Sequence, residues 1–330
     1  MRVLNDKDYR LFEKLVSLTE KGMLQAMNQY LKTKYDNIIT TKDYIIAVGS
    51  IPIALVAHMD TVFKTPVSDL YYDAKKGVMW SPDGLGADDR AGIFAIIKIL
   101  QDGLRPSIIL TTGEEEGGVG ACAICEKYPQ CPIPGLKYMI QLDRHGTNDC
   151  VFYDCYCPEF VDYVESFGFC ERWGSFTDIS FLMPEWQIVG VNLSVGYEDE
   201  HSHVEILNIN PLFDTIRKVK KMLAETDIPD FKYDELVAMP ANSAWWRHNT
   251  FGQHCSKCKK LYSEYELFPV LGINKQTKYF CPDCLVGNVE WCDHCEEPFE
   301  VKESSATKIC GVCAEGLCTT SNKLNDNSQK

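Results

Sequence analysis

The first part of the chain places apolar residues at helical spacing. Residues 8–35, "DYRLFEKLVSLTEKGMLQAMNQYLKTKY", carry apolar side chains three and four positions apart. That spacing puts them on one face of a helix and predicts one or two amphipathic helices, with a break near Gly22. The pattern changes at about residue 44, where short apolar runs begin.

From residue 44 to about residue 226, apolar runs alternate with stretches of helical spacing. The runs "YIIAVG", "IPIALVA", "SIILTT", "KYMIQL" and "QIVGVNLSV" lack strict alternation, which is typical of strands that are buried on both faces. Helices are predicted from about residue 90, over 119–128 and over about 211–226. This order predicts an α/β fold in which a mostly parallel central sheet carries helices on both faces.

The chain divides further by composition. We assign residues 1–228 to the α/β domain and residues 229–250, which contain two prolines and no clear period, to a linker. Cysteine pairs begin after residue 254 and predict a small C-terminal zinc-binding module over residues 251–318. The polar residues 319–330 predict a disordered tail.

Charge and cysteine content narrow the classes of function. A net charge of −14 over 330 residues makes nucleic acid and anionic membranes unfavourable partners. The N-terminus lacks the pattern of a signal peptide, and no apolar run reaches about 18 residues, so no membrane span is expected. Sixteen cysteines without a secretion signal favour reduced thiols and thiolate metal ligands, and hence a cytoplasmic protein.

Acidic residues and histidines follow four of the predicted strands, and a glycine-rich loop, "GLGADDRAG", adds two aspartates. In chain order these residues are His58, Asp60, Asp88, Asp89, the glutamates 114–116, Asp143 and His201. The carboxyl ends of parallel strands gather at one edge of a sheet, where so many carboxylates would repel one another. Two divalent cations would remove that repulsion. Imidazole nitrogens and carboxylate oxygens suit zinc, with manganese or cobalt as substitutes.

Five motifs in this region resemble those of the two-metal zinc exopeptidase superfamily. They are "AHMDTV", "GADDRAGI", "EEEGGVGA", "LDRHG" and "HSHVE", and they occur in the order found in that family. They look most like the branch that contains peptidase T, carboxypeptidase G and succinyl-diaminopimelate desuccinylase. The resemblance covers roughly residues 8–226 and implies a zinc-exopeptidase-like fold with two metal ions in the active site.

The resemblance also implies the metal ligands. His58 resembles the terminal ligand of one ion, Asp143 the carboxylate beside it, and Asp88 the carboxylate that bridges both ions. Glu116 and His201 look like the ligands of the second ion. His201 is preferred to His203 because the family spacing of His, three residues and Glu reaches Glu205 only from His201.

Two further residues of these motifs are implied to act in catalysis. Glu115 aligns with the general base that takes a proton from the attacking water and passes it to the leaving amine. Asp60 matches the acid that orients the ligand imidazole. Asp89 is expected to be a charge at a helix start, and Asp178 in "FTDIS" resembles a residue of a family loop near the site. Arg144 could pair with a substrate carboxylate or form a surface salt bridge.

One feature of this family branch is absent. Members of the branch usually carry an extra domain between the third carboxylate and the final histidine, and that domain commonly mediates dimerisation. Here only residues 144–200 lie between Asp143 and His201. We therefore expect a monomer whose catalytic domain is more like the single-domain aminopeptidases of the same superfamily.

Four C-x-x-C pairs near the end of the chain predict two tetrahedral sites, each with four thiolates and one structural zinc ion. The pairs are Cys255 and Cys258, Cys281 and Cys284, Cys292 and Cys295, and Cys310 and Cys313. Sequential pairing would give two zinc ribbons and interleaved pairing a cross-brace, and the sequence leaves both open. So short a module would owe much of its folding energy to the metal.

Three hypotheses follow for the function. The leading one is a two-metal hydrolase that cleaves a peptide or amide bond in a small peptide, as an aminopeptidase, dipeptidase or tripeptidase. The same residues would serve a deacylase of N-acyl amino acids or related metabolites. The hypothesis from a different class is a binding or adaptor protein that recruits a protein partner through its zinc module.

Overall fold

The structure is a computed structural model that describes residues 3–153, 155, 157–234, 253–262, 267–271, 277–286, 288–292 and 298–301. The described chain begins with two amphipathic helices. They are α1 (Asp6–Val16) and α2 (Glu20–Lys32). The side chain of Asn5 accepts the N–H of Asp8 at 3.0 Å, and that of Thr19 accepts the N–H of Gly22 at 3.1 Å. These caps start each helix. The break therefore falls at residues 17–19 and not near Gly22, which lies in the first turn of α2.

Strands and helices then alternate, as the apolar pattern predicts. None of the described helices is long and apolar enough to cross a membrane. The elements are β1 (Ile38–Thr40), β2 (Tyr44–Ala47), β3 (Ile51–His58), β4 (Tyr71–Asp73), β5 (Val78–Trp80), α3 (Ala87–Gln101), β6 (Pro106–Thr111), α4 (Val119–Lys127), β7 (Tyr138–Arg144), β8 (Asp149–Val151), α5 (Pro158–Glu165), β9 (Cys170–Glu171), α6 (Ile179–Trp186), β10 (Gly190–Ser194), β11 (Tyr197–Glu198), β12 (Ile206–Asn208) and α7 (Ile209–Ala224).

Within the described residues, eight strands form the central sheet in the order β1-β2-β6-β3-β7-β10-β8-β9. The pairs β6–β3, β3–β7, β7–β10 and β8–β9 are parallel, whereas β1–β2, β2–β6 and β10–β8 are antiparallel. A second sheet has the order β11-β12-β5-β4. The parallel centre brings the carboxyl ends of β6, β3, β7 and β10 to one edge.

Helices cover both faces of the central sheet. Every residue of β6 and β10 is buried, and β3 is buried from Ile53 to His58. Neighbouring side chains of a strand point to opposite faces, so an unbroken buried run requires cover on both. Helices α3 and α7 pack on each other and on central strands, and α4 and α6 do the same. The predicted α/β class is confirmed.

Helix α3 approaches β7 closely because Gly92 has no side chain. A Cβ at this position would lie 2.2 Å from the carbonyl oxygen of Leu142 and 2.5 Å from Oδ1 of Asp89. The start of α3, which carries Asp88 and Asp89, therefore lies against the carboxyl end of β7.

The chain divides into two compact units, Met1–Val237 and Ala238–Lys330. The described elements of the second unit are β13 (Gln253–His254), β14 (Leu261–Tyr262), β15 (Phe268–Leu271), β16 (Thr277–Phe280), α8 (Pro282–Leu285), β17 (Val289–Trp291) and β18 (Pro298–Glu300). Strands β13 and β14 pair with each other, and the other four form a sheet in the order β16-β15-β18-β17. Most of the predicted linker and all of the predicted tail lie outside the described residues.

Candidate metal centre and active site

The acidic and histidine residues singled out from the sequence lie at the carboxyl ends of neighbouring strands. Strand β3 ends at His58, and β7 ends one residue after Asp143. Strand β6, the other neighbour of β3, leads into the turn that holds the glutamates 114–116. The cluster forms because these three strands are adjacent and parallel.

His58, Asp88 and Asp143 form a first group of potential metal ligands. Nε2 of His58 lies 2.9 Å from Oδ1 of Asp88 and 3.5 Å from Oδ1 of Asp143. Ligand atoms about 2.1 Å from a tetrahedral zinc ion are separated by about 3.4 Å. The side chain of His58 is only 1% exposed. The three atoms are therefore close enough to bind one cation, and the site is buried from solvent.

Asp88, Glu115 and His201 form a second group. Nε2 of His201 lies 3.1 Å from Oδ2 of Asp88 and 3.0 Å from Oε2 of Glu115. Asp88 thus presents one oxygen to each histidine and lies between the two groups. His203, the alternative to His201, is exposed and packs its ring against Phe63, with the ring centroids 5.8 Å apart.

The three glutamates lie at different distances from the two groups. Glu115, assigned as the general base, lies with His201 and Asp88, whereas Glu114 lies close to His58 and Glu115. Glu116, assigned as a ligand, is exposed and belongs to neither group. Oδ2 of Asp60 accepts the backbone N–H of Glu115 at 3.0 Å. This bond ties the backbone of the glutamate turn to the end of β3.

Asp60 also contacts the first group directly. Its Oδ1 lies 3.2 Å from Nδ1 of His58, on the side of the ring opposite the nitrogen that faces Asp88. Both carboxylate oxygens of Asp60 are therefore engaged, one with the imidazole of His58 and one with the backbone of Glu115. Asp60 links the position of the imidazole to the position of the glutamate turn.

Asp143 is held by residues from two strands and from the loop before α6. The hydroxyl of Thr177 donates to Oδ2 of Asp143 at 2.7 Å, and that of Tyr197 donates to Oδ1 at 3.1 Å. The side chain of Asn192 bonds to both the backbone N–H and the carbonyl oxygen of Asp143. These bonds leave the carboxylate little freedom to turn away from His58.

The loop that carries Asp88 is fixed from both sides. The carboxylate of Glu205 accepts the N–H of Gly86 at 2.6 Å and that of Asp88 at 3.0 Å. Asp89, joined to Asp88 by a cis peptide bond, accepts the N–H of Gly92 at 2.9 Å. Asp89 therefore lies at the helix start, where the sequence interpretation placed it, and in neither ligand group.

The protonation states of the cluster are shifted by its own charges. Burial lowers the pKa of His58, but the neighbouring carboxylates raise it well above its usual value. Hydrogen bonds to Asp88 and Glu115 raise the pKa of His201 to about 11. Burial raises the pKa of Glu114 to about 9. The cluster therefore favours positive charge close to its carboxylates, as a protonated imidazole or as a cation.

Two other residues from the sequence analysis lie near the cluster but in neither group. Asp178 is buried, its Oδ2 accepts the hydroxyl of Thr111 at 2.6 Å, and burial raises its pKa to about 7. It also lies 3.4 Å from the amide of Gln141. Arg144 is half-buried, and its guanidinium lies 3.9 Å from the carboxylate of Asp149.

A cavity of 590 Å³ lies beside the second group. Its wall includes Val16 and residues 18–21 before and at the start of α2, residues 60–67 after β3, and Glu115 and Glu116. Leu18, Phe63 and Val67 make part of this wall apolar. The volume is enough for a small organic substrate, and Glu115 of the second group lies in its wall.

The first two cysteine pairs converge in the second unit. The sulfurs of Cys255, Cys258, Cys281 and Cys284 all lie within 4.8 Å of one another, and those of Cys258 and Cys281 are 3.9 Å apart. Sulfurs about 2.3 Å from a tetrahedral zinc ion are separated by about 3.8 Å. The arrangement matches sequential pairing, which gives zinc ribbons, for these two pairs.

The other two cysteine pairs are described only at one position. Cys292 is buried next to Phe299. Cys295, Cys310 and Cys313 lie outside the described residues.

Several residues around the cluster were given no role from the sequence. They are Glu114 beside His58, the residues that bond to Asp143, and a histidine–glutamate pair, His145 with Glu200, next to the loop of His201. His145 lies within the motif "LDRHG", and Thr177 precedes Asp178 in "FTDIS". Their positions in motifs were a signal, but the contacts that they make depend on distant parts of the chain.

Comparison with known proteins supports the fold. No protein-family model matches this chain, and no curated protein matches its sequence. The structure of the aminopeptidase PepT from Bacillus cereus ATCC 10987 is similar with a TM-score of 0.50 at 16% identity, covering 67% of this chain and 98% of that chain. A tripeptidase from Staphylococcus aureus is similar with a TM-score of 0.53 at 14% identity, covering 67% and 98%.

Two archaeal structures extend this comparison. A TET aminopeptidase from a Thaumarchaeota archaeon has a TM-score of 0.53 at 14% identity, covering 68% of this chain and 98% of that chain. The TET1 peptidase of Pyrococcus horikoshii, with a TM-score of 0.50 at 15% identity and coverage of 66% and 99%, can assemble into a tetrahedron or a large octahedral shell. The monomeric state expected for our chain stays a prediction. The chain has the fold of known aminopeptidases and of a tripeptidase.

Proposed function

We propose that this chain is a two-metal hydrolase that cleaves a peptide or amide bond in a small substrate, as an aminopeptidase, dipeptidase or tripeptidase. The observation that carries the proposal is the position of Asp88, whose two oxygens face His58 at 2.9 Å and His201 at 3.1 Å. A carboxylate between two groups of histidine and acidic ligands is what a pair of metal ions requires. The fold shared with aminopeptidases and a tripeptidase supports this class.

Two observations support the fit of these residues to two zinc ions: the chemical type of the ligand atoms, and a buried carboxylate oxygen without a hydrogen-bond partner among the described residues. Imidazole nitrogens and carboxylate oxygens are zinc ligands, and manganese or cobalt would also suit them. Oε1 of Glu115 is buried and has no hydrogen-bond partner among the described residues. His58, Asp143 and Asp88 would hold the first ion, and Asp88, Glu115 and His201 the second. Bound zinc would polarise the scissile carbonyl and lower the pKa of the attacking water.

Glu114 is the general base in this proposal. It would accept a proton from water as the water oxygen attacks the carbonyl carbon, and it would deliver that proton to the leaving nitrogen as the C–N bond breaks. Burial raises the pKa of Glu114 to about 9 in the metal-free cluster. The positive charge of two bound cations would lower this pKa and keep the carboxylate form available to accept the proton. Asp60 would orient the imidazole of His58 from the opposite ring nitrogen.

A substrate panel tests this proposal. The full-length chain, loaded with zinc, is given amino-acid amides, dipeptides and tripeptides in one set, and N-acyl amino acids in the other. We expect hydrolysis of the first set, loss of activity with a chelator, and recovery when zinc is added. Activity confined to the N-acyl set would indicate a deacylase instead. Metal-loaded protein that hydrolyses neither set would contradict the proposal.

The cysteine pairs of the second unit complete the proposed metal content. Cys255, Cys258, Cys281 and Cys284 would hold one structural zinc ion, and the remaining two pairs would hold another. We expect about four divalent ions per chain by metal analysis, two in the active site and two in the module. A chain that lacks residues 251–330 should retain hydrolysis if the module serves only to recruit a protein partner.

A further inference from the structure

The loop that carries His201 has an unfavourable backbone. Asp199 and His201 have φ values of 57° and 61°, in the left-handed region that disfavours residues other than glycine. Such backbone angles bring Cβ close to the following carbonyl oxygen and are unfavourable for residues that have a side chain. The loop is also poorly covered, because the side chain of His201 is 52% exposed and Val204 is 70% exposed. Burial alone does not keep this loop in shape, so specific contacts must do so.

Besides the pairing of β11 with β12 and the ring contact of His203 with Phe63, two side-chain contacts hold the loop on either side of His201. After His201, Glu205 accepts the N–H groups of Gly86 and Asp88. Before it, Oε1 of Glu200 lies 2.5 Å from Nδ1 of His145. The bond from the hydroxyl of Ser202 to the carbonyl of Asp199 closes the loop on itself and does not tie it to the sheet. The pair of His145 and Glu200 is therefore the anchor next to the ligand histidine.

His145 is itself rigidly held. Its carbonyl oxygen accepts the hydroxyl of Ser194 at 2.6 Å, and the N–H of Gly146 donates to the carbonyl of Tyr197 at 2.9 Å. Two residues earlier, Asp143 belongs to the first ligand group. His145 therefore joins the end of β7, which carries a ligand of one group, to the loop that carries a ligand of the other.

We propose that His145 is a positioning residue that, by binding Glu200, holds Nε2 of His201 in front of Asp88 and Glu115. The inference rests on the proposed two-metal function, because it assigns His145 to the stability of the second metal site. Without the pair, the loop can relax toward ordinary backbone angles, and the imidazole of His201 moves away from its partners. The first group, held by His58 and Asp143, does not depend on this contact.

Zinc binding to the full-length protein tests the proposal without substrate. Competition with a chelator gives the affinity of each ion, and mass spectrometry of the intact protein gives the number of ions per chain. In His145→Ala and Glu200→Ala, we expect one ion to bind about 10- to 100-fold more weakly than in the wild type while the others are unchanged. His145→Gln, which keeps an amide donor, should recover part of the affinity. Val204→Ala is the matched control, since Val204 is in the same loop, is 70% exposed and is outside the pair.

The double variant of His145 and Glu200 separates positioning from general damage. Because the two residues form one contact, the double variant should bind the weakened zinc ion with the same affinity as either single variant. Wild-type affinity in His145→Ala, additive losses in the double variant, or an equal loss in Val204→Ala would overturn the proposal. Circular dichroism checks that each variant is folded, and Glu200→Gln replaces any variant that is not.

These results stay distinct from those for the proposed function. Wild-type protein that binds two ions in its first unit but hydrolyses nothing would contradict the function, and the His145 measurement would still decide the inference. A His145 variant with lower activity but unchanged metal affinity would leave the hydrolase intact and refute the positioning role. Wild-type protein that binds no ion at the cluster would refute both.

Discussion

The sharpest prediction concerns the three adjacent glutamates, because substitution to glutamine keeps the shape of each side chain and removes its charge. Glu114→Gln should lower kcat by about 10²- to 10⁴-fold, or roughly 3–5 kcal/mol in the barrier, which is the usual contribution of a general base. Its metal content should not change, because neither of the two ligand groups that contain Asp88 includes Glu114.

Glu115→Gln should have a different effect. Oε2 of Glu115 lies 3.0 Å from Nε2 of His201, and its other oxygen is buried without a partner among the described residues. Loss of this charge should lower the affinity for one zinc ion by at least roughly tenfold, since even residues that only contact metal ligands contribute that much to affinity. Glu116→Gln should keep both ions and stay within about threefold of wild-type kcat, because exposed substitutions outside the ligand groups have small effects.

The assay combines two measurements on each variant. Zinc per chain is counted in the intact protein, and kcat is measured with a dipeptide at saturating zinc. Metal loss should appear in Glu115→Gln alone, and loss of turnover with full metal in Glu114→Gln alone. If Glu115→Gln instead kept both ions and lost turnover while Glu116→Gln lost an ion, the assignment from the sequence resemblance would be right and the structural one wrong.

Three further predictions follow from the structure. Gly92→Ala should destabilise the first unit by more than about 2 kcal/mol in urea denaturation, because its Cβ would lie 2.2 Å from the carbonyl of Leu142; an unchanged midpoint would contradict the close packing of α3. Cys281→Ser should release one zinc ion by metal analysis while dipeptide hydrolysis persists, and full zinc content would argue against the four-thiolate site. Zinc binding at the cluster should weaken as the pH falls from about 8 to about 6, because imidazole must lose its proton to bind metal and Asp88 and Glu115 raise the pKa of His201 to about 11. Calorimetry in buffers of different ionisation enthalpy should show that zinc binding releases protons. Zinc binding without proton release would refute this prediction.

Much of the fold follows from local patterns in the sequence. The apolar runs at 44–49, 51–57 and 138–142 are strands in the structure, and the helix predicted at 119–128 is α4, Val119–Lys127. Continuous apolar runs indicate burial on both faces, and this is enough to place strand ends at one edge. The proximity of His58, Asp88, Asp143 and His201 could therefore be anticipated, because each lies at such an end or in a loop beside it.

The register of the glutamate turn could not be read in the same way. Residues 114–116 are chemically identical, so a shift of one position changes no property of the motif. The position is decided by the bond from the N–H of Glu115 to Asp60, which lies 55 residues earlier in the chain. The bond between His145 and Glu200 spans the same sequence separation. Contacts over such distances depend on how strands pair, which local patterns do not specify.

The unequal exposure of the two histidines has a consequence for how the cluster would exchange its ions. The side chain of His58 is 1% exposed, whereas that of His201 is 52% exposed. An ion held by the buried imidazole could leave only if the strand end and the α3 loop opened together. An ion held by the outer loop could escape after a small movement of that loop. The occupancy of the outer position would then follow the supply of free metal in the surroundings, and with it the rate of hydrolysis, while the inner ion would stay for the life of the folded chain.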